Sequence, residues 1–177
     1  PDFPVDAEVK YKDNLMNAYD NSIRYTDNFL ARIIHLLKQQ QVDASMLYTS
    51  DHGEDIFDDG RHLFLHASPV PSYYQLHVPL LLWTSDSYRE EYPGIEKAAS
   101  MNRQKNISSS ISFFQTMMEL AGIETPYRND SLSVTSPLYT EKSRVYLNDH
   151  NEPHSLDDIG MRKEDFEMLK KRGIDAQ

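Results

Sequence analysis

Apolar residues in the first forty positions recur at three- and four-residue steps: Leu15, Tyr19, Ile23, Thr26, Leu30, Ile33 and Leu37. That spacing is one stripe of a 3.6-residue period and predicts a long helix from about Asp6 to Gln40. Lys38 falls in its last turn, where a cation suits the helix dipole, and Gln39 to Gln41 end the pattern. A short apolar run follows, Ser45-Met46-Leu47-Tyr48-Thr49, and later a continuous one, Val78-Pro79-Leu80-Leu81-Leu82-Trp83. Unbroken runs of this kind suit strands covered on both faces, as in a parallel sheet flanked by helices. The two strands, at about Ser45 to Ser50 and Val78 to Thr84, are therefore expected to be adjacent and parallel. The Leu15, Tyr19, Ile23, Leu30 and Ile34 side of the helix should pack on them.

Farther on, Asn106 or Ser108 can cap a helix carrying Ile111, Phe114, Met118 and Ala121 on one side, with Gly122 and Pro126 to stop it. Arg144 to Asn148 reads as a third strand, and the tail from Ser155, with Met161, Phe166 and Leu169, as a short surface helix. This order implies a layered α/β domain.

Composition narrows the partners. The 177 residues are enough for one domain with a core, and the net charge of -10 argues against attraction to nucleic acid or an anionic membrane surface. With no cysteine, disulfides and thiolate metal sites are excluded. No window approaches the roughly 18 apolar residues that span a bilayer. The chain starts at Pro1 without a signal peptide, so its N-terminus is expected to be an internal boundary of a longer protein.

The chemistry concentrates between Asp51 and His77. Four of the seven histidines, His52, His62, His66 and His77, fall there, beside Asp51, Glu54, Asp55, Asp58 and Asp59. Oxygen and imidazole donors together suit Zn2+ or Mn2+. Asp51 and His52 directly follow the first strand, and ligands gather at the carboxyl ends of strands in open α/β sheets. Neighbouring strand residues point to opposite faces, so both can reach one ion only from a turn, which Gly53 permits. Against this stands the plain alternative that Asp-His-Gly-Glu is a polar turn. His35 reads as a surface or core residue, and His150 and His154, beside Asp149 and Glu152, as an exposed polar loop.

Tyr19-Asp20-Asn21-Ser22-Ile23-Arg24-Tyr25-Thr26-Asp27, Tyr48-Thr49-Ser50-Asp51-His52-Gly53-Glu54, Phe64-Leu65-His66-Ala67-Ser68-Pro69 and His77-Val78-Pro79-Leu80-Leu81-Leu82-Trp83 form an ordered set. The set resembles the back half of the catalytic domain of phosphoethanolamine transferases, within the alkaline phosphatase and sulfatase superfamily. The resemblance runs from about Lys12 to Asp86 and is weak beyond Ile123. It implies a layered α/β/α sandwich with a mostly parallel sheet, of which residues 1–177 would be the C-terminal portion. It implies Asp51 and His52 as metal ligands and His66 as the catalytic residue that binds the substrate phosphate or helps hold a second zinc, with His62 the alternative for substrate binding. Glu54 and His77 would brace the site from behind the ligands. Arg61-His62 occupies extra length between His52 and His66 relative to the best-known members.

The reaction so implied moves phosphoethanolamine from a phospholipid donor to lipid A or another envelope glycan through a threonine nucleophile. It would take place on the periplasmic side of a bacterial inner membrane, with an N-terminal domain making the membrane contact. No threonine here sits in a matching context and two of the implied metal ligands are absent, so the chain alone is expected to be catalytically silent and to hold metal weakly or not at all. The rivals are a sulfatase or phosphoglycerol transferase of the same superfamily and an inactive binding module.

Overall fold

The structure, a computed structural model, describes residues 7–66, 70–147, 150 and 152–174. Ala67, Ser68 and Pro69 of the His66 motif, the expected helix start at Asp6, and Asn148 and Asp149 lie outside the described residues.

Helix α1 spans Lys12–Gln40 behind a 3-10 turn at Val9–Tyr11. It ends within the glutamine run, after Gln40: Gln41 is left-handed (φ 54°) and its N–H bonds to the Lys38 carbonyl. Strand β1 (Ser45–Thr49) follows, then the two-residue strands β2 (Asp55–Ile56) and β3 (Phe64–Leu65), the one-turn helix α2 (Tyr73–Leu76) and strand β4 (Leu80–Thr84). Ser85 caps α3 (Asp86–Glu91) by accepting from the Tyr88 N–H, and Pro93 opens α4 (Pro93–Asn102) at its first turn. Next come α5 (Ser109–Leu120), β5 (Val145–Leu147), β6 (Pro153–Ser155) and α6 (Lys163–Lys171).

Strands β1 and β4 are neighbours as expected, but antiparallel rather than parallel, with Leu47 opposite Leu82 and Tyr48 opposite Leu81. An unbroken apolar run reports cover on both faces and carries no strand direction. Here the chain leaves β1, folds the β2–β3 hairpin and α2, and comes back beside it. The described pairs β2–β3 and β5–β6 are antiparallel too.

The predicted stripe of α1 is its better-covered side. Leu15, Tyr19, Thr26, Leu30, Ile33 and Leu37 are half-buried, whereas Ile23 is exposed and no α1 residue is fully buried. α5 begins after Ser108 and ends at Gly122 (φ 62°), but its buried ridge is Ser112, Thr116 and Leu120. Phe114, expected on the inner side, is exposed. Polar residues can line the inner face because their hydroxyls are bonded: Thr116 donates to the Ser112 carbonyl and accepts from the Val134 N–H.

The tail helix is more than a surface element. Met161 and Leu169, with Tyr73 and Leu156, form a buried cluster that joins α6 to α2. Among the described residues no helix is long and apolar enough to cross a membrane.

Candidate metal and phosphate site

The turn after β1 is held by short polar bonds. Ser50 Oγ donates to the His52 carbonyl at 2.8 Å, and the His52 N–H donates to Asp51 Oδ1 at 3.1 Å. Gly53 then runs against α2, its N–H bonded to the Gln75 carbonyl at 2.8 Å. A Cβ there would stand 2.0 Å from the Tyr74 carbonyl oxygen. Glycine is thus required by close backbone approach, whereas its φ is not among the positive ones.

Asp51 and His52 converge from this turn. Asp51 Oδ2 lies 3.7 Å from His52 Nε2, a gap in which one ion can sit about 2.1 Å from both. His52 Nδ1 donates to the Gly53 carbonyl at 3.1 Å, leaving Nε2 as the free ligand atom. The hairpin brings His66 back over this turn: the His52 and His66 ring centroids are 3.8 Å apart. His66 Nδ1 donates to both Glu54 oxygens, at 3.0 and 3.1 Å. His52, Glu54 and His66 each present a ligand atom within 4.8 Å of the others. Glu54, expected to stand behind the ligands, presents a donor atom beside those of His52 and His66. The mixed imidazole and carboxylate donors fit zinc.

His62 is not part of this trio; it is exposed in the loop between β2 and β3. It is left-handed there (φ 54°), as are Phe57 (φ 55°) and Leu65 (φ 63°). A bulky residue in that region is strained, and Leu65 directly precedes His66. His77 stands at the far side of α2, where Nδ1 shares a 2.9 Å hydrogen bond with the Tyr73 hydroxyl. Partial burial first, then Arg172 and Arg144, lower its pKa below the usual histidine value. His35 pairs with Gln39 on the exposed side of α1.

Beneath the ligands the hairpin is bolted down. Asp55, 2% exposed, accepts from Ser72 Oγ at 2.8 Å and from the Gln75 side-chain amide. Burial raises its pKa against the pull of those two bonds. Arg61 binds Asp59 and, 104 residues away in sequence, Asp165. Between α1 and the sheet a cleft of about 360 Å³ opens beside the site, lined by Tyr19, Tyr48, His52, Tyr74, His77 and Leu81.

A sequence model of the Sulfatase family matches residues 1–123. Phosphoethanolamine transferase EptA of Escherichia coli K12 is 35% identical over 120 residues, covering 66% of this chain and 22% of that protein. This chain thus spans about a fifth of the length of that curated relative. The C-terminal periplasmic domain of EcEptC from Escherichia coli matches with a TM-score of 0.68 at 26% identity, covering 80% of this chain and 39% of the other. The same domain in complex with Zn superposes with a TM-score of 0.67 at 23% identity, over 92% and 44% of the two chains, a likeness of fold. The integral membrane protein lipooligosaccharide phosphoethanolamine transferase A of Neisseria meningitidis matches at 25% identity with a TM-score of 0.62, over 70% and 23%.

Proposed function

From the premise that the chain belongs to the Sulfatase family, we propose that it is the C-terminal portion of the catalytic domain of a phosphoethanolamine transferase. The observation that carries this reading is the convergence of Asp51 Oδ2 and His52 Nε2 at the end of β1, with the His66 ring 3.8 Å from that of His52. The acceptor is lipid A or a related envelope glycan, the class that similar transferases carry in their names, and the donor of the phosphoethanolamine group is a phospholipid. The site faces the periplasm of an inner-membrane enzyme, as the periplasmic domains and the integral membrane relative suggest.

Asp51 and His52 would hold zinc, which as a Lewis acid stabilises an attacking threonine alkoxide and polarises the phosphoryl oxygen. Glu54 accepts the Nδ1 proton of His66, so His66 Nε2 is directed outward. From there, in the imidazolium form that also carries a proton on Nε2, it steadies phosphate oxygens or gives that proton to the leaving group. The Gly53 carbonyl fixes the ring of His52. The threonine that attacks is not assigned within this chain.

A second reading of the donors is favoured by the 4.8 Å grouping of His52, Glu54 and His66, which can close on an ion of its own beside the first. Titration with zinc separates the two. Under the first reading Asp51→Ala and His52→Ala weaken binding and His66→Ala changes it little. Under the second, Glu54→Ala and His66→Ala weaken it as much as His52→Ala does. Zinc binding untouched by all four substitutions would remove the site from consideration.

A further inference from the structure

Arg61 is a cation 7% exposed at its side chain, and the more buried of its two partners, the Asp165 carboxylate, is 1% exposed. The contact is a two-point fork: Nη1 donates to Asp165 Oδ2 at 2.7 Å and Nη2 to Oδ1 at 2.9 Å. Asp59 takes the remaining side, accepting from Nε at 3.0 and 2.8 Å and from Nη2 at 2.5 Å. Asp165 Oδ1 also accepts the Tyr73 N–H at 2.9 Å, at the start of α2. A single carboxylate on α6 thereby fixes both the hairpin turn that precedes His66 and the one-turn helix against which Gly53 rests.

Such a pair has a large desolvation cost, and an equally sized apolar pair is often as stable. What an apolar pair lacks is direction. Only the planar guanidinium sets the turn at Asp59–Arg61 at a defined angle to α6. The next residues are left-handed His62 and, after Leu63 and Phe64, left-handed Leu65, so the hairpin does not relax to this shape unaided.

We propose that the Arg61–Asp165 pair is a positioning device for His66, by which the C-terminal helix α6, outside the 1–123 family match, becomes part of the site. The inference rests on the reading of the Asp51–His52–His66 cluster given above. Arg61 and Asp165 touch neither substrate nor metal in this account. They act through the hairpin, holding the His66 ring 3.8 Å from that of His52.

The test compares Asp165→Asn, the double variant Arg61→Met/Asp165→Leu and the distant variant Asn102→Ala with the parent chain. Asn102 is buried and bonds the Val134 and Ser136 carbonyls at 3.0 and 2.8 Å, so its removal destabilises without touching the clamp. Two readouts are taken: the nuclear Overhauser contact between the His52 and His66 ring protons, and the zinc dissociation constant. The apolar double variant is expected to recover thermal stability relative to Asp165→Asn. Both clamp variants should nonetheless lose the ring contact, and they should bind zinc about 10- to 100-fold more weakly under the second reading of the donors, in which His66 is a ligand. Asn102→Ala should melt earlier and keep both. The proposal is overturned if the folded clamp variants retain the ring contact, or if Asn102→Ala loses it equally. Should the parent chain bind no zinc, the ring contact, which needs no metal, still decides the clamp.

Discussion

Helix α1 and the segment from Asp51 to Leu76 are close in length and opposite in construction. α1 runs 29 residues without one that is fully buried, and Tyr25, Phe29 and Leu36 stand 78%, 54% and 57% exposed. The segment after β1 has almost no regular structure, yet Gly53, Asp55, Ile56, Phe57, Ser72, Tyr73 and Gln75 are all buried. α1 is specified mainly by periodicity, with one long-range bond at its start, from Lys12 Nζ to the Phe57 carbonyl. The site segment is specified by individual bonds: Gly53 to Gln75, Asp55 to Ser72, Arg61 to Asp165. Regular structure and tight specification therefore part company, and the candidate site lies with the second.

The sharpest break in that contrast should come from Arg61→Met, which leaves Asp165 buried without its cation. A loss of about 3–5 kcal/mol is expected for a broken buried pair, read by denaturant unfolding. Gly53→Ala comes next. Its methyl would overlap the Tyr74 carbonyl, a backbone atom that cannot swing aside, and overpacking of this kind costs about 1–3 kcal/mol. Zinc affinity should fall with it, since the turn holding Asp51 and His52 must shift.

Acid should act on the same region more gently. Hydrogen bonds from Arg61 hold Asp59 below the usual carboxylate value, so its folded pKa is depressed. Such a group adds stability above the ordinary Asp pKa of about 3.9, and the gain is lost as pH falls through the lower folded value. Unfolding midpoints taken from pH 5 to pH 2 should drop in the parent and drop less in a variant lacking Arg61. The smallest effect is expected on the other side of the comparison: Phe29→Ser in α1 should stay within about 0.5 kcal/mol, as exposed substitutions do. A large loss there would show that α1 is held by more than its half-buried stripe.

What the sequence made legible follows the same division. The α1 stripe, both strands of the β1–β4 pair, the ends of α5 and the Asp51-His52 turn were readable because each is a local pattern of a few residues. Strand direction was not, since continuous apolar runs are silent about it and the return path depends on how 30 intervening residues fold. α3 and α4 were overlooked although Ser85 as a cap and Pro93 at a first turn are legible signals. The inner face of α5 escaped because Ser112 and Thr116 read as polar until their hydroxyls are seen to be bonded. The Arg61–Asp165 fork joins residues 104 apart, and no local pattern predicts it.

The central claim is that Asp51 and His52 serve phosphoethanolamine transfer. It is tested most directly by mass spectrometry of lipid A from cells expressing the gene product that carries these residues, beside its His52→Ala form. The account predicts lipid A bearing added phosphoethanolamine with the parent and none above background with His52→Ala at equal protein level. Undiminished modification by the His52→Ala protein would contradict it.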